Sequence, residues 1–144
     1  MGVHIWLADE QGIARIGPDT IKDYYDFLIE KEQSLPSQAG SIEHEHYNKQ
    51  KELDINRAER KGGTITLGEK ITSQSDPLGA VPKPDQEVWS DEKQLNGLLD
   101  SLRKAKRRTK EMDDGNTNWE RTFEMKYIAL VEFALENGFG ITAP

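Results

Sequence analysis

The most hydrophobic stretch of this chain is WERTFEMKYIALVEFALEN, residues 119–137. Its apolar residues recur at helical spacing and form a band wider than a single stripe, which predicts a helix with two packing partners. The helix is expected to begin at a capping box between Thr117 and Glu120 and to end at Asn137-Gly138. A fully buried Leu, Val or Phe contributes roughly 1.5–3 kcal/mol, so we expect this helix to lie in the main core.

A second helix is predicted before it, from residue 90 onwards. Ser90 is placed to cap its first turn, where Asp91 and Glu92 suit the positive end of the helix dipole. Only Gly97 interrupts its apolar stripe, which consists of Leu95, Leu98, Leu99, Leu102 and Ala105. We expect the two helices to pack as an antiparallel helical hairpin over residues 90–138 and to form the main core.

The N-terminal part of the chain predicts a β-hairpin followed by a helix. Residues 3–8 and 13–16 are short apolar runs on either side of a glycine-containing turn, the usual pattern of a hairpin. A helix should start at Pro18, because proline suits a first helical turn. Leu35-Pro36 should end this unit, because the residue before a proline is pushed out of the helical region. We expect its apolar face to pack on the hairpin; this face consists of Ile21, Tyr24, Tyr25 and Leu28.

Residues 36–89 are expected to form a polar, partly extended arm. The 51 residues from Pro36 to Gln86 carry only nine large apolar side chains. So little apolar surface does not easily offset an ordering cost of roughly 1–2 kcal/mol per residue. We therefore expect the surface of another molecule to help to order this arm.

Within the arm the sequence predicts one helix and one hairpin. Residues 41–60 favour a helix that is solvated or lies against a partner, with a single sparse stripe formed by Ile42, His46, Lys49, Leu53 and Asn56. Residues 64–72 predict a second small hairpin that turns at Gly68-Glu69. Three prolines between residues 73 and 84 rule out regular structure there.

Length and composition predict a single α+β domain over residues 1–144. A chain of this length buries about two-thirds of its unfolded surface in one core. Its 31% charged and 35% hydrophobic residues describe a very polar but still globular chain. The formal net charge of −7 makes the protein acidic.

The sequence predicts neither export nor membrane insertion. Its first residues, MGVHIW, lack the basic region and apolar run of a secretory signal, and no stretch approaches the roughly 18 apolar residues of a membrane span. The chain has no cysteine, which excludes a disulfide framework, a thiolate metal site and a cysteine nucleophile. We therefore expect a cytoplasmic protein.

No catalytic or metal-binding constellation stands out. The segment Glu43-His44-Glu45-His46 joins residue types that ligate zinc or nickel. On a helix, however, its two histidines point about 200° apart. The chain has no glycine-flanked serine elbow, no HExxH motif and no phosphate-cradling loop. We expect no enzymatic activity, no metal and no cofactor.

Six of the 19 cations fall within eight positions near the end of the second predicted helix: Arg103, Lys104, Lys106, Arg107, Arg108 and Lys110. Such a cluster can contact nucleic-acid phosphates. Cations also suit a helix C-terminus, and an acidic chain can neutralise them internally or across an oligomer contact. Because no aromatic residue or groove-reading motif accompanies the cluster, nucleic-acid binding is the weaker interpretation.

Two function classes remain, and both bind another protein. The first is an acidic inhibitor or immunity-type protein that covers a cognate toxin or enzyme, because acidity speeds encounter with a basic target. The alternative is a structural or accessory component of a larger assembly such as a phage particle. Both hypotheses leave the oligomeric state open. The predicted partner contacts lie where the chain has least internal use for them: Glu43, Glu45, Tyr47, Glu52, Asp54 and Trp89, of which Trp89 is expected to be half exposed.

Overall fold

The computed structural model describes residues 3–34, 41–71, 88–109 and 119–143. In these residues the chain forms helices and a small antiparallel sheet, which confirms the predicted α+β class. The strands are β1 (Val3–Asp9), β2 (Gly12–Ile13), β3 (Gly68–Ile71), β4 (Val88–Trp89) and β5 (Gly140–Thr142). The first three helices are α1 (Pro18–Gln33), α2 (Ser41–Arg60) and α3 (Glu92–Thr109).

The C-terminal helix, residues 119–137, has three consecutive parts. Its ends, α4 (Trp119–Thr122) and α5 (Ala129–Asn137), are α-helical, and a π-helical segment (Phe123–Ile128) joins them. The sequence analysis did not predict the π-helical segment. Among the described residues, no helix has both the length and the apolarity needed to cross a bilayer.

The chain divides into two compact units. The sheet unit comprises Met1–Ala14 and Gly68–Pro144, and the helical unit comprises Arg15–Leu67. The prediction of a single domain therefore stays a prediction. Within the predicted arm, α2 and β3 have regular structure, whereas the proline-containing segment of residues 73–84 lies outside the described residues.

Strand β1 occupies the centre of the sheet, because both of its edges are paired. One edge pairs with β2 near Ala8 and with β3 from Val3 to Trp6, and the other edge pairs with β5. β4 lies beyond β5, and all these pairings are antiparallel. The β1–β2 pairing confirms the predicted N-terminal hairpin, although β2 is shorter than expected.

The predicted hairpin over residues 64–72 is wrong in its pairing. Ile65 forms an isolated bridge with Ile16, and β3 pairs with β1 instead of with residues 64–67. Gly68 is a strand residue opposite Trp6, not a turn residue. A Cβ at this position would overlap the Trp6 ring and lie 2.7 Å from the carbonyl oxygen of Ile5. The glycine therefore permits close approach of β3 to β1.

Helix α3 packs along all three parts of the C-terminal helix, as predicted. The five residues of its apolar stripe are buried, and so are the apolar residues Phe123, Tyr127, Leu130 and Val131 of the facing helix. The sheet adds the fully buried Ile5, Leu7 and Ile141 to this core. The core of the sheet unit thus has two sources, the helix pair and one face of the sheet.

The N-terminal cap of α3 lies one residue later than predicted. The backbone N–H of Gln94 donates to Asp91 Oδ1 at 2.7 Å, and the backbone N–H of Asp91 donates to Gln94 Oε1 at 3.4 Å. Asp91 and Gln94 thus form a capping box, and Ser90 precedes it. The predicted capping residue of the C-terminal helix, Thr117, lies outside the described residues.

In the helical unit, α1 packs against α2. The predicted apolar face of α1 is buried. Its packing on the N-terminal hairpin stays a prediction. The buried side of α2 carries Asp54 and Ala58, whereas the predicted stripe residues His46, Lys49, Leu53 and Asn56 are exposed.

A buried hydrogen bond explains why the packed side of α2 is not the sparse apolar stripe. The Tyr25 hydroxyl donates a hydrogen bond to Asp54 Oδ2, and Arg57 Nη2 lies 3.4 Å from Asp54 Oδ1. A carboxylate can lie on a buried helix face when such donors satisfy it. Apolar spacing alone therefore does not identify the packed side of α2.

Gly68→Ala should destabilise the protein, because the new Cβ would overlap the Trp6 ring. We expect the free energy of unfolding to fall by about 1–3 kcal/mol, the usual cost of overpacking. Urea denaturation followed by circular dichroism measures this change.

The matched control is Gly97→Ala on the exposed surface of α3, where a Cβ would meet nothing within 4 Å. Alanine is a better helix former than glycine, so the free energy of unfolding of the control should rise by up to about 1 kcal/mol. If the two substitutions changed stability alike, the tight packing at Gly68 would be refuted.

Candidate functional site

An open groove of about 410 Å³ lies at one end of the helical hairpin in the sheet unit. It lies where α3 begins and α5 ends. Leu95, Leu135 and Phe139 supply its apolar floor, and Ser90, Glu92, Asn96 and Glu136 supply its polar rim. Leu135 and Phe139 are only half-buried, so the floor keeps apolar surface that another molecule can cover.

The end of α5 shapes the groove. Gly138 adopts the left-handed conformation at φ 75°, which ends the helix as predicted. The Phe139 backbone N–H then donates to the Ala134 carbonyl at 2.9 Å, and the rings of Phe133 and Phe139 stack with centroids 6.4 Å apart. The reversal brings Phe139 back beside the helix it follows.

The groove carries negative charge. Glu92 and Glu136 are exposed rim residues, and no lysine or arginine of the described residues lines the groove. Glu92 lies in the first turn of α3, where a negative charge suits the helix dipole. Glu136 lies near the end of α5, whose last turn contains no basic residue. This charge opposes the usual preference for cations at a helix C-terminus.

The predicted basic cluster lies at the other end of the hairpin. Lys106 Nζ lies 2.6 Å from Glu124 Oε1, and Arg103 Nη2 lies 3.8 Å from Glu132 Oε2. The hairpin therefore neutralises part of the cluster internally. Lys104, Arg107 and Arg108 are exposed, and Lys110 lies outside the described residues.

The π-helical segment contains Glu124, which pairs with the basic cluster. The Ala129 backbone N–H donates to the Glu124 carbonyl, five residues back, which widens this turn of the helix. Glu124 reaches Lys106 on α3, while the π-helical segment also packs against β3. Such wide turns occur frequently at functional sites. The hydrophobic periodicity gave no signal for it.

Glu69 lies on β3 opposite the fully buried Ile5. Burial raises the pKa of the Glu69 carboxyl above its usual range, and the Lys126 ammonium lowers that pKa in part. A carboxyl held in this environment is costly to ionise. The sequence analysis missed this residue because it assigned Glu69 to a turn.

The six predicted partner contacts differ in their exposure to solvent. Glu45 and Glu52 are exposed on α2, and Tyr47 is half-buried there. Asp54 is 5% exposed and Trp89 is 3% exposed, so the expected half exposure of Trp89 is wrong. Trp89 is buried because β4 places it opposite Ile141 in the sheet. The side chain of Glu43 lies outside the described part of the chain.

Metal ligation finds no support among the residues that the structure describes, where no three His, Asp or Glu side chains converge. His46 is exposed and its ring lies 5.5 Å from the Tyr47 ring, measured between centroids. The side chain of His44 lies outside that part of the chain.

Comparison with protein-family models, with curated proteins and with solved structures finds no match. The functional proposal therefore rests on the geometry and charge of the groove.

We expect Glu69→Gln to raise the free energy of unfolding at neutral pH. Because the folded state raises this pKa, the folded protein holds the proton more tightly than the unfolded chain does. Stability therefore falls as the pH rises above the ordinary carboxyl value of 4.5. The gain from glutamine should disappear at lower pH, where the carboxyl is protonated in both states.

Urea unfolding at a series of pH values measures this difference. The control is Glu10→Gln, because Glu10 is an exposed residue of the β1–β2 turn. A gain for Glu69→Gln that stays constant from acidic to neutral pH would rule out the assigned cost of ionisation.

Proposed function

We propose that this chain is a small acidic cytoplasmic protein that binds another protein, of the inhibitor or immunity type, and that it has no catalytic activity of its own. The observation that carries the proposal is the groove between the start of α3 and the end of α5. Its half-buried Phe139 and Leu135 form an apolar centre inside a polar rim. This is the usual arrangement of a protein interface.

The charge of the chain supports a basic partner. The formal net charge is −7, and two glutamates lie on the groove rim. Complementary charge raises association rates and disfavours partners of like charge. A toxin or enzyme that acts on an acidic substrate such as nucleic acid presents a basic surface of the required kind.

The second candidate function is a component of a larger assembly. Helix α2 is 20 residues long, and its outer side carries Leu53 at 60% exposure. Such an exposed leucine beside Glu45 and Glu52 suits a lateral contact with neighbouring subunits. The nucleic-acid alternative is weaker, because Arg103 and Lys106 of the basic cluster pair with glutamates.

Two matched variants separate these surfaces. Glu92→Gln with Glu136→Gln alters the groove, and Glu45→Gln with Glu52→Gln alters the outer side of α2; each pair changes the net charge from −7 to −5. Tagged wild-type and variant chains would be purified from the native cell, and native mass spectrometry would give the partner and the stoichiometry.

We expect the wild type to form a one-to-one complex with a basic protein. The groove variant should bind this protein about tenfold more weakly than the wild type does, whereas the α2 variant should bind it with the wild-type affinity. A multi-copy complex sensitive to the α2 variant would favour the assembly component instead. The proposed function would be refuted if the wild type recovered nucleic acid. It would also be refuted if neither the wild type nor the variants recovered a protein partner.

A further inference from the structure

We infer that the groove receives an arginine side chain of the partner protein, with an apolar neighbour of that arginine on the groove floor. This inference rests on the proposed protein-binding function and names the chemistry of the occupant. Three features of the groove carry it: two carboxylates without an ion pair among the described residues, the end of α5, and its aromatic floor.

The two rim carboxylates have no cationic partner among the described residues. Neither Glu92 nor Glu136 makes an ion pair there, whereas Glu124 and Glu132 of the C-terminal helix both do. A partner's cation would therefore gain attraction from both rim glutamates without displacing an internal pair.

The end of α5 adds to this attraction. The last turn of a helix carries partial negative charge, which a nearby lysine or arginine normally complements. In α5 that position holds Glu136, and the turn contains no basic residue. A cation bound beside Glu136 would complement both this glutamate and the end of α5, whereas Glu92 is already stabilised by the positive start of α3.

The floor favours a guanidinium over a metal ion. Among the described residues, no third carboxylate or histidine joins these two glutamates, so the set is incomplete for a metal. A guanidinium can stack on an aromatic ring such as Phe139 and also donate several hydrogen bonds to carboxylates. Leu135 then offers apolar surface to the residue beside the arginine.

The probe is the peptide acetyl-Leu-Arg-Leu-amide, titrated into the ¹⁵N-labelled full chain and followed by NMR. Its matched partner is the same peptide with citrulline in place of arginine, which keeps the shape and removes the charge. We expect chemical-shift changes centred on the amides of residues 92–96 and 135–139. The citrulline peptide should bind at least roughly tenfold more weakly.

The variants test which carboxylates act. Glu92→Gln with Glu136→Gln should weaken binding of the arginine peptide by roughly tenfold. The control pair is Glu10→Gln with Asp100→Asn, two exposed acidic residues of the sheet unit that do not line the groove. The control should keep the wild-type affinity, and dispersed spectra would show that each variant is folded.

Equal binding of the two peptides, or shifts centred away from the groove, would overturn the inference. If the partner complex formed normally while the arginine peptide failed to bind, the inference would fall and the proposed function would stand. If the peptide bound as expected but no protein partner existed, the proposed function would fall instead.

A second copy of the chain is the competing occupant, because Arg107 and Arg108 are exposed at the basic end. Sedimentation velocity over a range of concentrations tests it. Self-association that is lost both in the groove variant and in Arg107→Gln with Arg108→Gln would overturn the assignment to a different protein.

Discussion

The pairing of both edges of β1 is the constraint on which the sheet unit depends. This strand comes from residues 3–9, yet its partners begin at residues 12, 68 and 140. Segments distant in sequence must therefore meet before the sheet is complete, and such non-local pairing carries a loop-closure cost. Gly68 permits the closest approach, and the full burial of Ile5 and Leu7 supplies the compensating hydrophobic stabilisation.

The same pairing fixes where the groove forms. Strand β5 follows α5 after only the turn at Gly138 and Phe139, so the end of α5 is held next to the sheet. A Cβ at Gly140 would lie 2.7 Å from the carbonyl oxygen of Trp89, which shows how closely β4 approaches β5 at the start of α3. The acidic groove and the basic cluster thus lie at opposite ends of one rigidly packed helix pair.

Sequence periodicity predicted the elements whose stability comes from apolar stripes. The stripe of α3, the buried face of α1 and the stop at Gly138 were all confirmed, because a helix with a regular apolar face has few alternatives. β4 and β5 are too short for alternation to reveal, and Gly68 resembles a turn residue unless its neighbour Trp6 is known. In α2 the buried face carries Asp54, which the Tyr25 hydroxyl and the Arg57 guanidinium stabilise. The groove was missed because it arises from two segments that meet only in the fold.

One part of the groove did leave a signal in the sequence. A glutamate in the last turn of a helix, without a lysine or arginine beside it, opposes the helix dipole, and Glu136 is such a residue. Functional sites are among the positions where proteins violate a local rule of this kind. The net charge of −7 acts in the same direction, because it attracts cationic surfaces at long range. Local and global electrostatics therefore both agree with the proposed basic partner, which would gain apolar contact at the half-buried Phe139.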